Sequence, residues 1–70
     1  MGALTARELE LLDRAANGDS SKQIARFLGL SEQHVKNTMS SIMTKLRASS
    51  RTHAVAIAIT AGLISLHPWR

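Results

Sequence analysis

Apolar residues recur along this chain at spacings of three and four, which is the period of α-helices that pack one face on a core. The first such stretch begins at Thr5, which forms a capping-box pattern with Glu8, and it ends at Asn17-Gly18. The pattern predicts a first helix between these signals. Its expected buried positions are Leu9, Leu12 and Ala16.

Two further helices follow, with a very short connection between them. The second begins at Ser20 or Ser21, where Gln23 completes another capping box, and it ends at Gly29. The third begins at Ser31, only two residues after Gly29. Each carries one apolar stripe: Ile24, Ala25 and Leu28 on the second helix, with Phe27 beside them, and Val35, Met39, Ile42 and Leu46 on the third.

The fourth helix begins near Thr52, ends at Gly62 and is apolar almost all round. On a helical wheel, the face expected to pack on the core holds Val55, Ala58, Ile59 and Gly62. The opposite face holds His53, Ile57, Thr60 and Ile64. Because a helix that is apolar on both sides needs two partners, the second face is expected to meet something besides the core. Residues 65–70 are expected to be irregular.

These elements predict an all-α, four-helix domain over residues 1–70, with its core in residues 4–64. The chain has no cysteine, which excludes disulfides and thiolate zinc sites. His34, His53 and His67 are scattered, and no phosphate-cradling glycine loop is present. We therefore expect no metal, no cofactor and no enzymatic activity. The missing cysteines and the lack of a secretory signal fit the cytoplasm.

Charge is unevenly distributed along the chain, whose net charge is +4. The acids before residue 20 are expected to lie on the solvated outer face of the first helix. From residue 20 onward, the bases Lys22, Arg26, Lys36, Lys45, Arg47, Arg51 and Arg70 accompany a single acid, Glu32. A basic half favours a polyanionic partner, although many soluble domains are equally basic.

Two short helices joined by a tight glycine-containing turn form a helix-turn-helix candidate for binding double-stranded DNA. The recognition helix would span about residues 32–47 and lie in the major groove, which admits an α-helix. With its apolar seam inward, it turns amide, hydroxyl and basic groups outward, and these are the groups that read base edges. The expected base contacts are Gln33, Lys36, Asn37, Ser40 and Thr44. The expected phosphate contacts are Ser20, Ser21, Lys22, Lys45, Arg47 and Arg51.

The same residues allow other interpretations. The outer face of the third helix could be an ordinary solvated face, and the domain could bind a protein through its fourth helix without touching DNA. A peripheral membrane helix is disfavoured, because the polar flank of the fourth helix lacks lysine and arginine. The longest nearly apolar stretch, residues 54–64, is about half of the roughly 20 residues needed to span a bilayer.

The sequence resembles the LuxR-type DNA-binding domain, which is also the output domain of many response regulators. The matching segments are Leu4-Thr5-Ala6-Arg7-Glu8, residues 18–25, Leu30-Ser31, Val35-Lys36-Asn37, residues 42–46, residues 51–55 and Gly62-Leu63-Ile64. The resemblance implies base contacts at Lys36, Asn37 and Ser40, with Lys22 and the region of Thr44 and Lys45 nearer the backbone. His34, Thr38 and Ser40 depart from the usual threonine, histidine and long basic residue, which bears on the target sequence rather than on the fold.

The second apolar face of the fourth helix predicts a homodimer through His53, Ile57, Thr60, Ala61 and Ile64. Contact with an absent regulatory domain and a merely scattered surface hydrophobe are the alternatives. The resemblance implies that this helix is a dimer contact, often only on DNA. A two-fold dimer predicts an inverted-repeat site. RNA polymerase is a further candidate partner. An upstream receiver domain, as in two-component systems, or a ligand-sensing domain is expected, because nothing in these residues senses a signal.

Overall fold

Each helix begins directly after a hydroxyl side chain that caps it. The computed structural model describes residues 3–65, and within that range it contains no strand. Its helices are α1 (Ala6–Ala16), α2 (Ser21–Leu28), α3 (Glu32–Leu46) and α4 (Arg51–Thr60). The caps are Thr5, Ser20, Ser31 and Ser50, each of which accepts a hydrogen bond from the backbone N–H three residues later. The all-α prediction and both capping boxes are confirmed. The expectation for residues 66–70 lies outside the described range.

All four helices end in the same way: one residue turns left-handed, and the next amide bonds back across the last turn. The left-handed residues are Gly18, Gly29, Arg47 and Gly62, with φ of 100°, 72°, 56° and 75°. The amides of Asp19, Leu30, Ala48 and Leu63 donate to the carbonyl five residues earlier, at 2.8 to 3.1 Å. Glycine predicted three of these ends. Arg47 was not foreseen, because a side chain is disfavoured in this conformation.

The core is built around α3, which packs against the other three helices. Its predicted seam is buried at Val35, Met39 and Ile42, while Leu46 is half-buried. The other helices contribute Leu11, Leu12, Ile24, Ala25, Ala54 and Ala58. Leu11 is fully buried although the predicted stripe omitted it. Its burial follows from α1 contacting three helices, which gives α1 a broader inner face than a single stripe.

The end of α4 differs from the helical-wheel prediction. The left-handed Gly62 turns the chain out of the helical path, so Ile64 swings into the core and is only 9% exposed. Ile59 was expected to pack on the core but is 36% exposed, and Ala54 joins Ala58 as a buried residue instead. The placement of Ile64 on the exposed face was therefore wrong, as was the placement of Ile59 in the core.

Arg14 connects the first two helices on the side away from the core. Its Nη1 lies 2.9 Å from Oδ2 of Asp19, and its guanidinium carbon lies 3.2 Å from the ring centroid of Phe27. The cation over the aromatic face accounts for a large hydrophobic side chain that is 59% exposed. This arrangement helps to hold α2 in place beside α1.

Candidate nucleic-acid interface

The turn between α2 and α3 is held by backbone bonds and by one apolar side chain. Gly29 takes the left-handed conformation, and the Leu30 amide donates to the Ala25 carbonyl at 2.8 Å. The Leu30 side chain is half-buried against the core. Ser31 then caps α3, so each residue of the connection makes a defined backbone or side-chain contact. The two helices pack on each other as a helix-turn-helix requires.

The outer face of α3 is exposed along its length. Above the buried seam, each residue predicted to contact a base is solvent-exposed: Gln33, Lys36, Asn37, Ser40 and Thr44. Because all of them project from one rigid helix, their spacing is set by the helix and not by a loop. The structure therefore brings together the complete predicted base-reading set on one accessible surface.

Two hydrogen bonds order side chains on this face. The Gln33 amide donates from Nε2 to Oδ1 of Asn37 at 3.0 Å, and the Thr44 hydroxyl donates to the Ser40 carbonyl at 3.1 Å. The Asn37 oxygen keeps a second lone pair and its NH₂ group keeps its donors, so the amide can still accept from the N6 amino group of an adenine and donate to its N7. The Thr44 oxygen is left as an acceptor.

The residues predicted to contact phosphates divide into free and engaged groups. Lys22 and Arg47 are exposed, and neither has an ion pair or side-chain hydrogen bond to another part of the described chain. The Ser20 hydroxyl caps α2. Arg51 donates to the Ser21 hydroxyl at 3.3 Å and to the Asp19 carbonyl at 2.8 Å, which connects the start of α4 to the start of α2.

Lys45 is also engaged, through a residue that the sequence analysis assigned to solvent. Its Nζ lies 2.8 Å from Oε1 of Glu8, which is only 7% exposed. The expectation that all the acids of α1 are solvated is therefore wrong for Glu8. The hydrogen bond from Lys45, followed by that from the Thr5 amide, holds the pKa of the Glu8 carboxyl below its ordinary value. The capping-box pattern predicted the bond between Glu8 and Thr5, but no feature of the local sequence predicted the contact between Glu8 and Lys45.

The exposed side of α4 carries a shallow apolar depression of about 420 Å³. It is lined by His53, Ala56, Ile57, Thr60 and Ala61. Four of these are residues predicted for a dimer contact, and Ala56 is the fifth lining residue. Ile64 lies instead in the lining of a separate groove of about 710 Å³, between the end of α4 and residues 9–13 of α1.

Between residues 3 and 65, none of the helices has the length and apolar character of a membrane-spanning helix.

Comparison with known proteins agrees with this geometry. Residues 2–58 match the family described as bacterial regulatory proteins, luxR family. The chain is 46% identical over 63 residues to the transcriptional regulatory protein YdfI of Bacillus subtilis, covering 90% of this chain and 30% of YdfI.

Solved structures show the same fold. The transcription factor GerE superposes with a TM-score of 0.87 at 32% identity, covering 93% of this chain and 97% of GerE. The Vibrio cholerae VqmA dimer, a LuxR-type receptor described in the absence of its target DNA, gives a TM-score of 0.85 at 32% identity. That match covers 94% of this chain and 30% of VqmA, so the chain spans less than a third of YdfI or VqmA. The chain therefore belongs to the luxR family of bacterial regulatory proteins and carries the helix-turn-helix DNA-binding domain of that family.

Proposed function

We propose that this domain is the output part of a transcription regulator and binds an inverted-repeat DNA site as a dimer, with α3 in the major groove. The observation that carries the proposal is the exposure of all five predicted base-reading residues on the outer face of α3, above a seam that is buried at Val35, Met39 and Ile42. Sequence would be read by Lys36, Asn37 and Ser40, with Gln33 and Thr44 at the two ends of the face. Lys suits a guanine edge, and Asn suits adenine.

Phosphate contacts would surround this face and set its register. Lys22 on α2 and Arg47 at the end of α3 have free charges, and the start of α2 offers its amides beside Ser20 and Ser21. Arg51 would approach a phosphate bound at the start of α2 while it remains bonded to Ser21. Lys45 is not included, because the Glu8 carboxylate already holds its ammonium group. These contacts would make binding sensitive to salt.

Dimerisation would use the depression on α4. Ile57, which is half-buried, lines this depression together with His53, Thr60 and Ala61. A second copy of α4 across a two-fold axis would cover this apolar surface and place two recognition helices in successive grooves on one side of the duplex. VqmA, which shares the fold, is described as a dimer. The domain would then report the state of a sensing domain elsewhere in a longer regulator, as the greater length of YdfI suggests.

Selection of binding sites from random duplexes, repeated at two salt concentrations, tests the proposal. We expect an inverted repeat whose half-sites lie about 10 base pairs apart, centre to centre. Sedimentation of the protein on the selected duplex should give two copies per site. Recovery of a single half-site would remove the dimer, and failure to enrich any sequence would favour a protein-binding module that uses α4 alone.

A further inference from the structure

The Glu8 carboxylate gathers groups from two helices into one small cluster. Oε1 accepts from the Thr5 amide at 2.8 Å and from Lys45 Nζ at 2.8 Å. Oε2 accepts from the Ser41 hydroxyl at 3.5 Å. The Glu8 side chain is 9% exposed and that of Lys45 is 28% exposed. A mostly buried carboxylate of this kind depends on its partners, because their contacts must compensate for its lost hydration.

The α3 members of this cluster lie next to the residues proposed to read bases. Ser41 and Lys45 are four residues apart and lie on one flank of the helix. Each directly follows a proposed base-reading residue, Ser40 or Thr44. Glu8 lies in the first turn of α1 and is held there by its hydrogen bonds with the cap residue Thr5. It therefore anchors this flank of α3 to a different helix. A rotation of α3 about its own axis would pull Lys45 away from the carboxylate.

The same contact determines what Lys45 can do near DNA. If Lys45 turned to a phosphate, the Glu8 carboxylate would stay buried without its cation and close to a polyanion. Removing one partner of a buried ion pair is strongly unfavourable for this reason. The proximity of Lys45 to the recognition face therefore does not make it a phosphate contact.

We propose that Glu8 is a positioning residue for DNA recognition: it sets the orientation of α3 through Ser41 and Lys45, and it withholds the Lys45 charge from the phosphate backbone. This inference rests on the proposed function. Its consequence is that Glu8 favours cognate over random DNA by lowering affinity for the backbone and holding the base-reading face in register.

The test compares Glu8→Gln with Glu10→Gln. Both remove one negative charge from α1, but Glu10 is on the exposed side, in a loose pair with Arg7 at 3.7 Å. Glutamine at position 8 can still accept the Thr5 amide, so the helix cap is retained. Affinity for a random-sequence 20-base-pair duplex is measured over a range of salt concentrations. We expect the salt slope of Glu8→Gln to be steeper than that of Glu10→Gln by about one unit, the contribution of one released lysine.

Lysine variants complete the cycle. Lys45→Met in the native background should leave the slope unchanged, whereas Lys22→Met should reduce it by about one unit. Combining Glu8→Gln with Lys45→Met should return the slope to the native value. On the selected site, the ratio of cognate to random affinity should fall by about tenfold in Glu8→Gln, the size of one lost base contact.

The orientation of α1 relative to α3 is measured separately, from residual dipolar couplings of the free domain. We expect it to change in Glu8→Gln and not in Glu10→Gln. Equal salt slopes for Glu8→Gln and Glu10→Gln, or a reduced slope for Lys45→Met, would show that Glu8 does not withhold the Lys45 charge from the phosphate backbone. An unchanged helix orientation would overturn the positioning role. If the native domain bound no duplex at all, the proposed function would fail, and the dipolar couplings would still decide whether Glu8 orients α3.

Discussion

The Gln33 side chain donates to the Asn37 side chain at 3.0 Å, one turn apart on the exposed face of α3. This bond restricts rotation of the Asn37 amide before any DNA arrives. An amide that is already oriented loses less conformational freedom when it meets a base edge. We therefore expect the Gln33 side chain to influence the proposed base contact of Asn37.

Replacing Asn37 with alanine should cost about 1–3 kcal/mol on the selected site and relax preference at one base position. Gln33→Ala should cost less, because it removes the orienting bond and leaves the Asn37 amide in place. Repeating the site selection with each variant measures both effects. Equal weakening on cognate and random DNA would show that Asn37 does not read a base.

Replacing Lys22 with alanine should weaken binding to cognate and random duplexes alike and reduce the salt slope by about one unit. The physical reason is that a free ammonium group releases counterions from the phosphates that it neutralises. Arg7→Ala is the matched control, since it removes one positive charge from the exposed side of α1. A salt slope that matches the native value would exclude Lys22 from the phosphate contacts.

Replacing Arg47 with glycine should separate folding from binding. Arg47 has φ of 56°, so glycine at this position should raise the free energy of unfolding by about 1 kcal/mol. The same change removes a proposed phosphate contact and should weaken DNA binding at low salt. Urea denaturation and salt titration measure the two effects. A more stable variant with native affinity would mean that Arg47 has only a backbone role.

Replacing Ile57 with glutamate should leave the domain folded and abolish two-copy occupancy of the inverted repeat. Ile57 lines the depression on α4, and a charge at this position would be buried in the proposed dimer. Ile59→Glu is the control, because Ile59 lies on the same helix, is 36% exposed and lines the other groove. Sedimentation on the selected duplex distinguishes them. If both variants, or neither, lose the second copy, the α4 depression is not the dimer contact.

Acid should destabilise the native domain through Glu8. The pKa of this carboxyl is lowered in the folded state, chiefly by the hydrogen bond from Lys45 and then by that from the Thr5 amide. Its contribution to stability is therefore complete above the ordinary value of 4.5 and is lost as pH falls through the lower folded value. Urea denaturation between pH 6 and pH 3 should show a smaller decline for Glu8→Gln than for the native chain. Parallel declines would mean that the pair does not contribute to stability.

The helix boundaries could be predicted from the sequence because the interactions that define them are local. Thr5, Ser20 and Ser31 reach amides only three residues away, and Gly29 satisfies a backbone geometry that its own residue type permits. The buried seam of α3 follows from helical period alone. These same local features carried the resemblance to the family and predicted the exposed outer face of α3.

What tertiary structure alone decided involves residues far apart in the chain. Glu8 is buried because Lys45, 37 residues later, supplies its counter-charge, and no periodic pattern records that partner. Ile64 enters the core because the left-handed turn at Gly62 redirects the chain after the helical wheel ceases to apply. Hydrogen bonds between residues three or four apart can be predicted from the local sequence. Whether a charged side chain is buried depends on whether another helix supplies its counter-charge, and only the tertiary structure decides that.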